Sequence, residues 1–379
     1  MKRGPSVRRT VAVRISLFLI VFTSIMLSAT WLACATWNYF WDSGASSRWE
    51  LIFPGLTLGF VATTVLGRLY SNFALRVVYR TCAVWLGILN YCFFAAGAAW
   101  IFYGAATLLS SHIEPRLIAI AFFGAGIIIS AFGVVNAEWL RVTRVPVKLA
   151  NLPANWQDRT VALVTDMHLG NVRGAGFTRR VVATIQQLKP DAIFISGDMF
   201  DGTKGDLDAL LKPWKEISAT AKIYFVTGNH EEFTDRAKYL EAAQNAGIRI
   251  LNNEKVDLDR LQIVGIHDSE LHDPEAFRAL IRGMNLDKNR PAILLAHQPL
   301  NLDIPEAEGV SLQLSGHTHG GQIWPWTWVA GRVHGRFNQG LNRLGKMQVL
   351  TSNGAGTWGA PMRVGTKSEI VLIHLESNA

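Results

Sequence analysis

The sequence predicts an α/β domain of two sheets laid face to face with helices outside, preceded by an all-helical membrane region. Three observations predict it. Before about residue 140 charges are sparse and long apolar runs dominate. Beyond that point, apolar runs of strand length alternate with amphipathic segments, as parallel α/β layers do. Further on, strand-like runs continue with few helices and many glycines, as a mixed or antiparallel second sheet would. At 379 residues the chain is long enough for two domains, and we divide it at 1–145 and 146–379.

Four stretches before residue 140 lack Asp, Glu, Lys and Arg: residues 15–37, 51–67, 81–109 and 117–135. A bilayer needs roughly 17–25 apolar residues, so each is long enough to span one. The second is the shortest. The third is overlong and has to tilt or extend past the hydrocarbon. Trp31, Trp37, Tyr39, Trp41 and Trp49 cluster near the first two ends, as aromatic belts do. Lys2, Arg3, Arg8, Arg9 and Arg14 precede the first span, and Arg68, Arg76 and Arg80 lie between the second and third. Only Arg48 and Arg116 occupy the alternate loops, while Arg141, Arg144 and Lys148 follow the fourth span. This alternation predicts a cytoplasmic N-terminus and a cytoplasmic C-terminal domain. A rival reading takes Arg8-Arg9 as a twin-arginine export signal. A signal peptide is short, and here three further spans follow.

Cys34, Cys82 and Cys92 all lie in the apolar region, so the C-terminal domain has no disulfide and no thiolate metal site. The net charge of +8 raises the question of nucleic acid. Many of the basic residues flank spans, no basic run carries interleaved aromatics, and no nucleic-acid partner is expected. Attraction to the anionic headgroups of a lipid bilayer is the simpler account.

The C-terminal domain opens with a short extended linker from Pro146. Strands are expected at 161–165, 192–196, 223–227, 261–266, 292–296, 310–315, 347–352 and 369–375. Helices are expected at 178–188, 206–216, 234–246 and 274–282, punctuated by Lys189-Pro190-Asp191 and Gly247. Leu207, Leu210, Leu211 and Trp214 share one face of the second of these.

Three strings stand just beyond predicted strands: Asp166-Met167-His168-Leu169-Gly170, Gly197-Asp198-Met199-Phe200-Asp201 and Gly228-Asn229-His230-Glu231. His297 closes a fourth strand, and Gly316-His317-Thr318-His319-Gly320-Gly321-Gln322 follows a fifth. In α/β folds ligands gather at the carboxyl ends of strands. Asp166 and His168, two apart on an extended segment, point to one side and can reach one ion. Asp198 can use both carboxylate oxygens and bridge two ions, and Asn229 supplies a neutral oxygen. His317 and His319 are again two apart on one side of a Gly-rich turn. Oxygen and nitrogen donors without sulfur suit two divalent first-row ions such as Mn, Fe or Zn. Each string alone is an ordinary loop; the set, each member at a strand end, is much harder to obtain by chance. Glu231 and Asp201 are candidates to orient ligands. His267 and Asp268 fit either the same mouth or a solvated loop, and His272, His334 and His374 fit local structural roles.

In this order the strings resemble those of the calcineurin-like metallophosphoesterase superfamily, over roughly residues 159–375. The Gly-His-Thr-His-Gly-Gly-Gln form and the ending Asn353-Gly354-Ala355-Gly356…Glu369-Ile370 resemble a bacterial membrane-associated branch with N-terminal transmembrane helices. The resemblance implies a four-layer α/β/β/α sandwich with a dinuclear site, a hydrolase of phosphoester or pyrophosphate bonds. One ion would take Asp166, His168, Asp198 and His319, the other Asp198, Asn229, His297 and His317. His230 would be the non-ligand catalytic residue near the leaving-group oxygen. The arginine that follows Gly-Asp in the phosphoprotein-phosphatase branch is replaced by Met199-Phe200, which counts against a protein phosphatase. One resembling subgroup hydrolyses UDP-diacylglucosamine at the inner membrane, and the expected substrate is lipid-linked or nucleotide-linked. The alternatives are a phosphodiesterase on a soluble nucleotide and a non-catalytic metal-binding membrane sensor.

Residues 323–337 carry one more pattern. Trp324, Trp326 and Trp328 alternate, and Arg332 and Arg336 follow. On an extended segment three indoles would share one face, suited either to the membrane interface or to core packing.

Overall fold

A computed structural model of the chain describes residues 5–41, 49–232 and 235–377. Lys2, Arg3 and Arg48, used above for orientation, lie outside the described residues. The chain divides into two compact units: residues 1–134 with 359–361, and residues 135–358 with 362–379.

The first unit is helical. Helices α1 (Pro5–Trp41), α2 (Trp49–Leu69), α3 (Phe73–Leu108) and α4 (Pro115–Glu138) are long and apolar enough to cross a membrane. At 1.5 Å per residue the 36-residue α3 is longer than a hydrocarbon core of about 30 Å requires. Small residues let these helices approach. Ala33, Ala95, Ala96 and Ala99 are buried against Phe40 and Phe123. Without a hydrophobic drive in lipid, such close packing and interhelical hydrogen bonds hold the bundle. Thr30 and Thr57 meet at 3.0 Å, Trp85 Nε1 donates to Thr57 at 3.0 Å, and Trp100 Nε1 donates to Thr36 at 3.0 Å.

In the second unit the strands are β1 (Leu140–Leu149), β2 (Thr160–Val164), β3 (Ala192–Ser196), β4 (Lys222–Val226) and β5 (Arg249–Ile250), then β6 (Glu254–Leu258), β7 (Leu261–Ile266), β8 (Ala292–Ala296), β9 (Leu312–Ser315), β10 (Gly340–Leu344), β11 (Met347–Thr351) and β12 (Ser368–Ser377). Between them run α5 (Ala175–Leu188), α6 (Leu207–Ser218), α7 (Asn229–Glu232), α8 (Arg236–Asn245), α9 (Asp268–Leu271), α10 (Pro274–Gly283), α11 (Asp303–Ala307) and α12 (Trp326–His334). One sheet has the order β1-β12-β2-β3-β4-β5 and the other β10-β11-β9-β8-β7-β6. In the first, β2 to β5 run parallel, while β12 joins β2 antiparallel and pairs β1 in parallel. In the second, β7, β8, β9 and β11 are parallel, with antiparallel edges β6 and β10. Both sheets are therefore mixed.

The two-residue period of the strands builds four layers. Val161 and Leu163, Phe194, and Tyr224 and Val226 pack between the sheets against Ile263, Ile293, Leu295, Leu312 and Leu314. Their neighbours Val164, Ile195 and Phe225 face α5, α6 and α8 with Val181, Trp214 and Tyr239. On the far side Val264, Leu294 and Val349 meet Phe277 and Ile281 of α10. Every residue of β3 and β8 is buried, which is why these strands read as unbroken apolar runs.

Two readings are corrected. The segment taken as a linker from Pro146 lies within β1, whose ten-residue register with β12 runs from Leu140↔Ser368 to Leu149↔Ser377. Proline is admissible there because β1 is an edge strand. The Trp segment taken as extended contains helix α12. Pro325 precedes its first residue and Gly335, at φ 56°, follows its last, the asymmetry that favours a helix between them.

Candidate metal centre

The ends of β2, β3, β4, β8 and β9 converge on one buried cluster. Asp166, His168, Asp198, His297 and His319 are buried. The donor atoms of Asp166, His168 and His319 lie within 4.8 Å of one another, and so do those of Asp198, His297 and His317. A third group within the same limit is His168, Asp198 and His230. Asn229 joins through Oδ1, 2.9 Å from His317 Nδ1. All eight residues singled out from the sequence are thus brought together, and Asp198 and His168 each belong to two of the three groups.

The local reason differs from the one expected. Asp166 (φ 51°), His168 (φ 48°), Asp198 (φ 49°), His317 (φ 70°) and His319 (φ 49°) all have left-handed backbone rather than extended geometry. Asp and His enter this region more readily than bulky residues, yet it is sparsely used and clusters at functional sites. The surrounding hydrogen bonds impose it: Asp166 N donates to Gly197 O at 3.1 Å, His168 N to Asp198 O at 3.0 Å, and Gly356 N to Asp166 O at 2.8 Å. The turns also rely on glycine where backbone passes a carboxylate. A Cβ on Gly228 would stand 2.2 Å from Asp198 Oδ1, and one on Gly316 2.1 Å from Asp166 Oδ2. His317 and His319 do not share a target: His319 faces Asp166 and His168, while His317 faces Asp198 and His297.

The donor set fits divalent cations. His168 Nε2 and His319 Nε2 face each other at 3.0 Å, and Asp166 Oδ1 stands 3.5 Å from the latter. His297 Nε2 makes no well-angled hydrogen bond among the described residues and faces Asp198 Oδ2 at 3.1 Å, while its Nδ1 is 2.8 Å from Ser196 O. A ring that donates through Nδ1 to a carbonyl presents the other nitrogen as a lone pair. So many acceptor atoms aimed at one another in a buried space are costly without a cation between them. None of these donor atoms is sulfur, as suits Mn, Fe or Zn.

The electrostatics follow from burial and proximity. Burial works against ionisation of Asp198, but His297 and His230 outweigh it and hold the carboxyl well below the usual range. Burial pushes the Asp166 carboxyl up. Burial, and after it the neighbouring His297, pushes His317 down to about 3, and burial also pushes His230 down. His230 is anchored by its N–H, which donates to Asp198 Oδ1 at 2.9 Å, and its Nδ1 lies 3.4 Å from Asp201 O. Asp201 Oδ1 also stands 3.6 Å from His168 Nδ1, on the side away from the cluster.

A supporting shell surrounds these groups. Glu231 is buried and accepts N–H groups from Asp198 (3.1 Å), Phe200 (2.8 Å) and Gly228 (2.7 Å). Burial and the Asp198 charge push its carboxyl up to about 8, against those donors. Arg363, missed in the sequence, is fully buried and donates to the carbonyls of Asn353 (2.5 Å), Gly356 (2.7 Å) and His319 (3.3 Å). Nothing in the local sequence marks it, because its partners come from other turns. Met199 and Phe200, where another branch has arginine, are core residues.

His267 and Asp268 are not in the cluster. His267 is buried against Thr227 and Asn253, and burial pushes it down to about 3. Asp268 accepts from Gln298 at 2.9 Å and stands 3.3 Å from His272. His374 lies on the surface, 3.5 Å from Asp158. His334, read as local, stands with its ring 6.4 Å from that of His317, at the rim of the cluster. Trp358 lies 6.2 Å from the His230 ring on the same rim.

Known proteins resemble this chain over most of its length. Residues 159–321 match the family model of the calcineurin-like phosphoesterases. The chain is 29% identical over 302 residues to an uncharacterized metallophosphoesterase of Campylobacter jejuni, covering 76% of this chain and 79% of that one. It is 30% identical over 241 residues to an uncharacterized metallophosphoesterase of Helicobacter pylori, covering 62% and 64%. It is 31% identical over 268 residues to a transmembrane protein with metallophosphoesterase domain of Danio rerio, covering 66% and 60%. The matches thus span somewhat under two thirds of the latter two relatives.

Proposed function

The chain carries a calcineurin-like metallophosphoesterase domain, that of a metal-dependent phosphoesterase, behind four long apolar helices, and on that premise we propose a membrane-anchored dinuclear phosphohydrolase. Residues up to about 145 form the anchor in this reading, and residues 146–379 hydrolyse a phosphoester or pyrophosphate bond. The observation that carries it is Asp198 Oδ2 standing between His168 Nε2 at 3.9 Å and His297 Nε2 at 3.1 Å, one histidine from each proposed set. We assign Asp166, His168, Asp198 and His319 to one ion and Asp198, Asn229, His297 and His317 to the other, with Asp198 bridging. Bound there, two divalent ions (Mn, Fe or Zn) supply Lewis-acid stabilisation of phosphoryl charge and lower the pKa of a water.

The chain's own residues do the rest. Asp198, ionised through its histidine neighbours, holds the charge balance of the site. Its Oδ1 also anchors the His230 backbone, so the bridging carboxylate and the proposed acid move together. His230, whose proton affinity burial lowers and the Asp198 and Asp201 carboxylates raise, gives a proton to the departing oxygen as water adds to phosphorus and the phosphorus–oxygen bond breaks, a role worth about 10²–10⁴ in rate. Asp201 holds the outer nitrogen side of His168, and Glu231 fixes the turn that presents Asp198.

The substrate we infer is lipid-linked or nucleotide-linked, of which a UDP-diacylglucosamine-like compound is one example. Four apolar helices are more anchor than location alone needs, and they keep the site near a bilayer. The distribution of Lys and Arg around them supports a cytoplasmic catalytic domain on a bacterial cytoplasmic membrane. The test is purification of the full chain in detergent with metal analysis, then hydrolysis of bis-p-nitrophenyl phosphate with added Mn and a screen of lipid phosphoesters against soluble nucleotides. Near-stoichiometric metal without turnover on any ester would leave a metal-binding membrane sensor and overturn the enzyme reading.

A further inference from the structure

We propose that α12 and its flanking indoles are a membrane-surface anchor of the catalytic unit itself, seated in the headgroup layer of an anionic bilayer. The first observation is burial. No residue of the nine-residue α12 is buried. Trp324, Trp326 and Trp328 are 53%, 50% and 60% exposed, Val333 is 71% exposed, and Trp358 is 58% exposed. An isolated nine-residue helix is marginal in water, and most helices in proteins persist by burying an apolar face. Here the apolar residues Trp326, Trp328, Val329 and Val333 are all turned outward instead.

The second observation is charge. From Gly309 to Ser368 the chain has no Asp and no Glu. The same stretch has Arg332, Arg336, Arg343 and Lys346 at its surface. The Arg332 guanidinium stands 4.8 Å over the Trp328 ring, and that of Arg336 4.9 Å over Phe337. Indoles with an apolar body beside cations that reach outward are the composition of an interfacial helix. Each Lys or Arg near an anionic lipid surface contributes about 1 kcal/mol.

The third observation is rigidity. Trp326 N donates to Ile323 O at 2.8 Å and Trp324 N to Val364 O at 2.9 Å. A Cβ on Gly321 would stand 2.4 Å from Trp326 O, so the helix start is pressed against the turn that carries His319. Its other end places His334 beside His317. The platform is built onto the rim of the donor cluster.

A lipid surface fits better than a second copy of this chain. A two-fold interface would set one basic patch against an identical one. The bilayer is also at hand, since α4 ends at Glu138 and β1 begins at Leu140 in the same chain. The inference does not depend on catalysis, so it stands or falls apart from the hydrolytic reading.

The test uses the full chain in nanodiscs, with Trp328→p-acetylphenylalanine carrying a nitroxide through an oxime. The native cysteines then need no change. A control label replaces Asp259, on the exposed hairpin at the opposite ends of the strands. Depth is read by collision with oxygen against a water-soluble nickel chelate. A label about 5–10 Å into the headgroup boundary meets oxygen freely and the chelate several-fold less than the control does. That contrast should grow in discs containing an anionic phospholipid and shrink in high salt. Equal access of the chelate to both labels overturns the proposal. So does a label at 328 shielded from both reagents, which means a protein covers the helix. Trp328→Ser with Val333→Ser gives an independent reading: backbone amides of 326–334 should exchange hydrogen faster in anionic discs than in the unaltered chain. An unchanged exchange rate counts against the anchor.

Discussion

The carboxylate of Glu231 accepts the backbone N–H of Asp198 at 3.1 Å, so a residue shared by two of the donor groups is held by a side chain from the turn that carries Asn229. The same carboxylate accepts from Phe200 and Gly228, which fastens the loop after β3 to the loop after β4.

Replacing Glu231 by Gln should therefore loosen the site without touching a donor atom. The amide keeps one acceptor and turns an N–H₂ toward backbone donors. A buried polar group left unsatisfied costs about 1–3 kcal/mol. Thermal unfolding of the purified chain should fall by several degrees, and metal content should drop. A variant with unaltered Tm and full metal would remove Glu231 from this role.

Asp198→Asn should nearly abolish hydrolysis and lower metal content. A carboxylate can bridge two cations with charge on both oxygens, whereas an amide is a poor bridge. Retention of both near-stoichiometric metal and full turnover would mean that the site is not dinuclear in the way we propose.

His230→Ala should keep metal bound while kcat falls by about 10²–10⁴. The loss should shrink for good leaving groups such as p-nitrophenolate, which need little proton help. His230 also stands in a donor group with His168 and Asp198. Loss of about half the bound metal in this variant would instead make His230 a ligand.

Arg363→Met should destabilise the fold before it affects chemistry. The side chain donates to four backbone carbonyls in a site where burial pushes the guanidinium down to about 9. Methionine matches much of its length and donates nothing. We expect a loss of about 1–3 kcal/mol for each acceptor left unmet, read as a shift in the thermal midpoint. The residual folded fraction should show weaker metal retention, because His319 loses the contact on its carbonyl.

A C-terminal fluorescent-protein fusion should be bright and the matching alkaline phosphatase fusion inactive, as a cytoplasmic C-terminus requires. The reverse pattern would revive the twin-arginine reading of Arg8-Arg9.

By itself the sequence determined the four apolar helices, most strands of the two sheets and which residues form the cluster. The strands β3, β7 and β8 coincide with runs at 192–196, 261–266 and 292–296 that are apolar but for Ser196 and Gln262, because full burial excludes charged side chains. Asp166, Asp198, Asn229, His297 and His317 were legible because each follows such a run, and strand ends are where an α/β fold opens. Only the tertiary structure decided how they converge. The left-handed backbone of Asp166, His168, Asp198, His317 and His319 comes from hydrogen bonds between turns, not from local spacing. β1 finds its partner β12 more than two hundred residues away, a pairing that no local period encodes. The alternation of Trp324, Trp326 and Trp328 imitated a strand, yet the segment is a helix begun after Pro325. Local pattern carries burial against the nearest layer; the long-range contacts that set Arg363, Glu231 and His334 around the site arise only when distant turns are folded onto one another.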